Sequence, residues 1–459
     1  MIQDWTDGKV HDVLRNINLS NPSFQCKFIY YLRNTAKAKQ TKLAKTNDIA
    51  TGDSPLAVCC YVGILELAEW CLKNNSNTNS VNIYGERPLY IACHNVHHDI
   101  VCCLLTHKHK ADVNKRTGIT KVTPLYEACE RGLTSIVLRL LKEDVDVNYK
   151  CFQETALFAA CTYGRIEIVK NLLIQKEGTI YINERTQSYW SNYGTPLYIA
   201  CKGGHTEIVS LLLNHTADDL DVNKDTREGE TPLYAACLGG YTNIVDLLLA
   251  RHQTIVIDKS RTDGTSSLKV ASHEGSVTVV STLLNINDIQ IDKCILIGMS
   301  PLFIASLLGH TQIVKNLLEK RLALISVKLV SDNASEHVNS FIEGKEKDWI
   351  FNSILEASPL HVGSLMGHIE IVKLLVESNS NINCFSENGS TPLFLACELG
   401  HKDIVHVLLL NGADPTLDGK DGKSPLTIAR DNGHMQMVEI IKSHTIESPA
   451  IKQSKLAKQ

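Results

Sequence analysis

The chain has 459 residues, 44% of them hydrophobic and 21% charged, with a formal net charge of −4 and a pI near 6.5. This balance supplies no global basic field to recruit nucleic acid or acidic membranes, and it is too apolar for a disordered chain. No apolar run reaches the roughly 18 residues that would span a bilayer, and the opening MIQDWTDGKV puts aspartates where an export signal needs a cationic then apolar stretch.

In chain order, residues 1–50 come first, with eight Lys/Arg against four Asp/Glu. Phe24, Phe28 and Leu32 fall on one helical face, so this segment is expected to be a helical cap on the chain beyond residue 50. Lys37, Lys39, Lys42 and Lys45 are spaced rather than blocked, which reads as a solvated face and not a nuclear signal. From residue 51 one pattern recurs eleven times, centred on Leu56, Leu89, Leu125, Leu157, Leu197, Leu233, Leu268, Leu302, Leu360, Leu393 and Leu426. The spacings are 33, 36, 32, 40, 36, 35, 34, 58, 33 and 33.

Each copy carries its own folding signals. Ser or Thr stands two positions before the leucine in ten copies, with Arg87 the exception, and its hydroxyl can accept a free amide at a helix start. Proline follows in nine copies, where its fixed φ suits the first helical position. Seven positions after the leucine comes glycine in ten copies, suited to the left-handed conformation that stops a short helix. Val96 replaces it in the second copy, so that turn is expected to be built differently. A second helix follows with an Ile-Val pair and then Leu-Leu, as in Ile208–Val209 and Leu212–Leu213. Two such short helices cannot bury their apolar stripe alone, so neighbours must stack.

The runs TPLYIACKGGHTEIVSLLL from Thr195 and TPLYAACLGGYTNIVDLLL from Thr231 resemble the ankyrin repeat, whose period is 33 residues. The resemblance covers about residues 51–443. It implies an all-α solenoid of stacked helix-turn-helix units with short β-hairpin fingers, and no appended catalytic domain. The expected organisation is a cap over 1–50, repeats one to eight over 51–320, an inserted segment over 321–357, repeats nine to eleven over 358–443, and a basic tail over 444–459.

Several residue types recur in register. Cys60, Cys93, Cys129, Cys161, Cys201, Cys237 and Cys397 lie four positions after the leucine. Helix spacing of about 8–10 Å separates equivalent atoms too far for disulfides, so these are read as small core residues. The odd total of fifteen cysteines fits reduced thiols in a cytoplasmic or nuclear protein. His97, His205, His310, His368, His401 and His434 follow the turn position and are read as the family's Gly-His turn. Tyr90, Tyr126, Phe158, Tyr198, Tyr234, Phe303 and Phe394 stand where the family usually has histidine, kept at His361, and are read as inter-repeat packing. Asn114, Asn148 and Asn223 occupy the D-V-N segment that ankyrin proteins can present to an asparaginyl hydroxylase, with turn hydrogen bonding the preferred role.

Repeat two gathers His94, His97, His98, His107 and His109 with Cys93, Cys102 and Cys103. Zinc needs four converging ligands, and this set spreads over two helices and a loop without a compact ligand spacing, so no metal and no cofactor is expected. Irregularity instead marks binding candidates. The 40-residue spacing lengthens one finger, which carries Tyr189, Trp190 and Tyr193, while Glu130, Arg131, Tyr163 and Lys202 hold variable positions beside the turn on the concave face. The alternative for the finger is a loop folded over its own repeat, and for the others simple solvation.

The 58-residue spacing leaves 321–357 as an apolar segment that reads as a degenerate repeat, a helical insertion covering the groove or a partner-induced segment. The favoured reading is an ordered insertion that interrupts the stack next to a weak repeat seven and divides the array into a longer N-terminal and a shorter C-terminal block. No G-x-x-x-x-G-K-[ST], G-x-S-x-G, H-E-x-x-H or kinase motif is present. The expected function is therefore a non-enzymatic adaptor or scaffold, monomeric and cytoplasmic, binding a protein partner through the concave face and fingers. A regulatory or targeting subunit is the alternative, and an enzyme or metal protein using the repeat-two cluster is the third reading.

Overall fold

The hydroxyl, proline and leucine that open each copy start a helix for identifiable reasons. In all ten copies with Ser or Thr, from Ser54 and Thr123 to Thr391 and Ser424, the side-chain oxygen accepts the amide of the residue three positions on. Arg87 makes no such cap, and its guanidinium reaches across to the Arg116 carbonyl instead. The computed structural model describes residues 54–456 except 64, 74, 83, 119, 176–179, 188–192, 216–219, 251–253, 287–288, 292–298, 321–356 and 420–421. Those residues form twenty-two helices, two to each repeat. The expected cap over 1–50 and the apolar insertion lie outside the described residues.

The helices divide into two compact units between Asp221 and Val222. In the first unit, the first helices of repeats one to five pack side by side, as do their second helices. Repeats six to eleven form the second unit in the same manner. The Ile-Val and Leu-Leu residues of the second helices face this shared core. Ile100, Val101, Leu104 and Leu105 of helix His98–Thr106 are buried, and so are Ile208, Val209, Leu212 and Leu213 of Thr206–His215. Truncating any of the isoleucines or leucines among them to alanine costs about 2–5 kcal/mol.

Two sets of directional bonds fix the stacking register. Each of the six turn histidines donates Nε2–H to the carbonyl two residues before the preceding repeat's turn glycine, from His97 to Tyr61 through His434 to Glu398, at 3.0–3.3 Å. The ring sits so close that a Cβ on Gly164 would lie 2.8 Å from His205, and φ at that glycine is +67°. In the fingers, Asn114 Oδ1 accepts from the Asp146 amide at 2.8 Å, Asn148 Oδ1 from Tyr181 at 2.8 Å and Asn223 Oδ1 from Val256 at 2.7 Å. These asparagines thus bond into the next repeat's finger rather than only within their own turn.

The cysteine register is fully buried in all seven repeats that carry it, and the thirteen described cysteines are free thiols. Repeats seven to nine place serine there. Ser272 Oγ donates to the Leu268 carbonyl at 2.8 Å, whereas the buried hydroxyls of Ser306 and Ser364 have no partner. Direct aromatic-register packing is likewise seen, with Tyr126, Phe158, Tyr198, Tyr234, Phe303 and Phe394 all buried. His361, the one histidine there, is locked at both nitrogens: Nδ1 accepts from the Ser358 amide at 3.0 Å, and Nε2 donates to the Ser390 carbonyl at 3.0 Å.

Three expectations are corrected. The fingers close as turns, and among the described residues there is no strand, only one isolated bridge between Cys151 and Glu154. Fingers such as 117–122 and 226–230 are closed between their ends by a single backbone bond of 2.9 Å, too few consecutive pairs for a ladder. The turn of repeat two is not built differently: Val96 takes φ +62° itself, with His97 N bonded to the Ala92 carbonyl at 2.9 Å, as His205 N is to Ala200 at 3.0 Å. The stack is also not interrupted at the long spacing. Helix Pro301–Leu307 packs directly on Pro359–Met366, and His368 reaches the Leu307 carbonyl at 3.2 Å in the ordinary register. Repeat seven packs on both of its neighbours, and the last helix, Met435–Leu456, runs on into the segment expected as a tail.

Left-handed backbone at a β-branched residue costs about 1–2 kcal/mol. Val96→Gly is therefore expected to stabilise the first unit by about 1 kcal/mol, read as a higher denaturation midpoint at unchanged slope. Burial holds His361 down at about 4 against its ordinary 6.5. Because the unfolded histidine takes a proton below 6.5 and the folded one does so only near 4, the stability it contributes is present above 6.5. That stability falls by about 1.4 kcal/mol per pH unit across the window between the two values. Urea titrations from pH 7 to 4 should show this loss, and His361→Phe, the residue type of the neighbouring repeats, should flatten it.

Candidate protein-binding surface

The first helices of repeats two to four are Pro88–His94, Pro124–Arg131 and Ala156–Thr162. Their closely packed cores leave only the helix ends and finger tips to carry polar chemistry. Glu127 lies on the second of them at a position facing repeat two, and its buried carboxylate is held from three sides. His94 Nδ1 is 2.7 Å from Oε1, the Tyr90 hydroxyl donates to Oε2 at 3.4 Å, and Arg131 Nη1 lies 3.8 Å from Oε1. The hydrogen bond to Glu127 raises the His94 pKa against the opposing effect of burial, with Glu86 raising it and Arg131 lowering it. Burial and the same carboxylate push the Tyr90 phenol up.

One repeat further, Glu130 accepts from the Tyr163 hydroxyl at 3.1 Å. Arg165 holds this pair in place. Its guanidinium lies 6.0 Å from the Tyr163 ring centroid and donates through Nη2 to the Glu130 carbonyl at 3.2 Å. That carbonyl is the same acceptor register the turn histidines use, so Arg165 replaces a histidine and adds a stacking face. Tyr126 donates to Glu154 Oε2 at 3.1 Å, and Phe152 meets the Tyr126 ring edge-on at 6.3 Å between centroids.

The sequence-derived candidates therefore fall into three groups. Glu130 and Tyr163 come together across repeats three and four, with Tyr163 49% exposed, and the exposed Arg131 turns to Glu127 on its own helix. Lys202 is exposed in repeat five, its ammonium 5.8 Å from the Tyr198 ring centroid, and the structure shows no contact joining it to the other three. Tyr193 is half-buried with φ +57°, on a finger whose ends are joined by Thr186 N to the Gly194 carbonyl at 3.0 Å; Tyr189 and Trp190 lie outside the described residues.

The repeat-two histidines and cysteines do not converge. His94 turns to Glu127 and His97 to the Tyr61 carbonyl, His98 lies 3.8 Å from Cys102 Sγ, and His107 and His109 sit beside each other in the following loop. Burial pushes the Cys60, Cys93 and Cys129 thiols up, and Cys397 to about 12, which keeps these core groups protonated. Sequence reasoning missed Glu127, Glu154, Arg165 and Phe152. Arg165 was legible as the residue in the Gly-His slot of CTYGRIEIV, whereas Glu127 gave no signal beyond a charge inside an otherwise apolar helix.

A family profile described as ankyrin repeats in three copies matches residues 25–117, 110–186, 180–263 and 324–418. The chain is an ankyrin-repeat protein. Repeats seven and eight lie mostly between the matched stretches, yet their helix pairs, Ser267–His273 with Val277–Leu284 and Pro301–Leu307 with Thr311–Lys320, complete the stack. Human transient receptor potential cation channel subfamily A member 1 is 26% identical over 33% of this chain and 16% of its own. Mouse ankyrin repeat and SOCS box protein 16 is 27% identical over 40% of this chain and 45% of its own, and the spider alpha-latrocrustotoxin-Lt1a of Latrodectus tredecimguttatus 31% over 23% and 7%. The chain thus spans less than half the length of each of these relatives. Ankyrin repeats are protein-interaction modules, generally without catalysis. Among the described residues of this one, no helix is long and apolar enough to cross a membrane.

The His94–Glu127 contact has a defined pH signature. A raised histidine contributes stability that is whole below its ordinary 6.5 and is lost as pH rises through its folded value. The His94 imidazole titration, followed by NMR, should have a midpoint above 6.5, and Glu127→Gln should bring that midpoint down.

Proposed function

We propose that this ankyrin-repeat protein is a cytoplasmic adaptor or scaffold, without catalytic activity of its own, that binds another protein through the inner face and fingers of repeats three to five. The observation that carries this reading is Tyr163. An aromatic ring half open to solvent is fixed between Arg165 and Glu130, in a fold that buries the aromatic register of its first helices. A rigid, exposed aromatic flanked by charges is what binding hot spots use, because little side-chain freedom is lost on association. Free thiols throughout the described chain support a reducing compartment. The long finger with Tyr189, Trp190 and Tyr193 is proposed as a second contact.

Two triple variants test the reading in cells by capture and mass spectrometry. Arg131→Ala with Tyr163→Ala and Lys202→Ala should lose a small, defined set of proteins while retaining wild-type helicity. Alanine at Tyr189, Trp190 and Tyr193 reports on the finger. An unchanged set of captured proteins in both variants would sink the proposal.

A further inference from the structure

Two basic side chains meet one oxygen of Glu127. His94 Nδ1 stands 2.7 Å from Oε1 and Arg131 Nη1 3.8 Å from the same atom, while the Tyr90 hydroxyl takes the other oxygen at 3.4 Å. The carboxylate is buried, whereas 54% of the His94 side chain and 37% of that of Arg131 are open to solvent. A buried carboxylate needs one counter-charge, because an uncompensated ion in a low dielectric is costly. Two positive charges on one oxygen leave one of them unmatched. Only the histidine can give its charge up near neutral pH, since a guanidinium keeps its proton. With His94 protonated the carboxylate is matched without Arg131, and with His94 neutral Arg131 is the counter-ion that remains.

The groups around His94 agree with this exchange. The hydrogen bond to Glu127 favours its charged form, burial and Arg131 oppose it, and Glu86, just before its helix, favours it. Tyr90 stacks on the ring at 5.9 Å between centroids. The first helix of repeat one, PLAVCCYV, carries no carboxylate, lysine, arginine or histidine. In repeat two, His97 is turned to the Tyr61 carbonyl, and His98 lies 3.7 Å from Asp99. On the other side of Arg131, Arg165 packs over Gly132, where a Cβ would lie 2.9 Å from its Nε. Two guanidiniums thus flank the turn of repeat three, and the carboxylate between them, Glu130, is taken by the Tyr163 hydroxyl. A guanidinium freed from Glu127 at this turn is suited to a carboxylate, which it can grip with two hydrogen bonds.

We infer that His94 and Arg131 are alternative counter-ions of Glu127, and that protonation of His94 releases Arg131 to bind a carboxylate on the partner protein. This deepens the proposed function and rests on it, naming the partner's chemistry at Arg131 and the condition that engages it. Binding through Arg131 is favoured below the His94 midpoint and weakened as pH rises through it. By reciprocity, an anionic group bound at Arg131 favours protonated His94.

Two measurements test the exchange, with every variant checked for wild-type helicity. Followed by NMR, the Arg131 Nε–H signal should shift with the same midpoint as the His94 imidazole. Arg131→Ala should raise the His94 midpoint by about 0.2–0.5 pH units, the size of an exposed charge pair. An Arg131 signal that ignores that midpoint, or a His94 midpoint unmoved by Arg131→Ala, overturns the inference.

The second measurement uses a rhodamine-labelled dodecapeptide of alternating glutamate and glycine, with binding to the full chain followed by fluorescence anisotropy at 150 mM salt. Wild type should bind it at least threefold tighter at pH 6.0 than at pH 8.5. His94→Gln, which keeps a neutral donor beside Glu127, should bind weakly at both. Glu127→Gln frees Arg131 at either pH, and at pH 8.5 it should bind at least threefold tighter than wild type. No binding at pH 6.0, or the same pH ratio in wild type and His94→Gln, counts against the exchange and refutes it. If both measurements fail while the Arg131/Tyr163/Lys202 variant still loses its cellular partners, the switch is refuted and protein binding stands.

Discussion

A pair of helices of seven to ten residues has no interior. The whole architecture of this protein derives from that, because the apolar stripe of each pair becomes a core only when the next pair covers it. Apolar burial is non-directional, however, and would allow neighbouring repeats to slide. The turn histidines and finger asparagines remove that freedom. Each bonds to a backbone group of the adjacent repeat, one at either end of the helices, so the register is pinned at two separated points.

The same frame explains why most polar chemistry here is structural. Histidines and cysteines in number suggest metal or redox work, and repeat two concentrates both. Stacking sends His97 to a carbonyl, His94 to a carboxylate and Cys93 into the apolar interior. Their abundance is a product of repetition, with one useful residue type copied into successive registers. The side-chain chemistry that repetition does not explain, such as Glu127, Glu130 with Tyr163, and Arg165, concentrates in repeats three and four.

Legibility in the sequence divides along that line. The helix starts, the turn glycines, the buried cysteines and the His ladder are all readable, because each depends on local backbone chemistry repeated at fixed spacing. Val96 is misjudged when a local steric rule is taken as decisive, whereas bonds on both sides of the turn hold that residue in left-handed backbone at its cost. The long spacing before repeat nine reads as a break in the stack. Yet Pro301–Leu307 and Pro359–Met366 meet as other neighbours do, because stacking depends on complementary helix faces and not on the length of chain between them. Of the surface candidates, Glu130 and Tyr163 prove to be neighbours, which fixed spacing between adjacent repeats makes readable. Glu127 and Glu154 act across a repeat boundary through side-chain reach, and no spacing rule encodes that.

The uniform histidine register also bears on how such a chain can change over generations. Every junction from repeat seven to repeat eleven repeats one bond, a turn side chain to a backbone carbonyl that every repeat possesses. For that bond a copy from this stretch is a transferable part, because its neighbour need supply only main chain. Repeats two to four are matched by side chains as well, Tyr90 and His94 to Glu127, Tyr126 to Glu154, and Tyr163 to Glu130. Their order is fixed by complementarity, so this part of the chain can drift residue by residue but cannot be reshuffled.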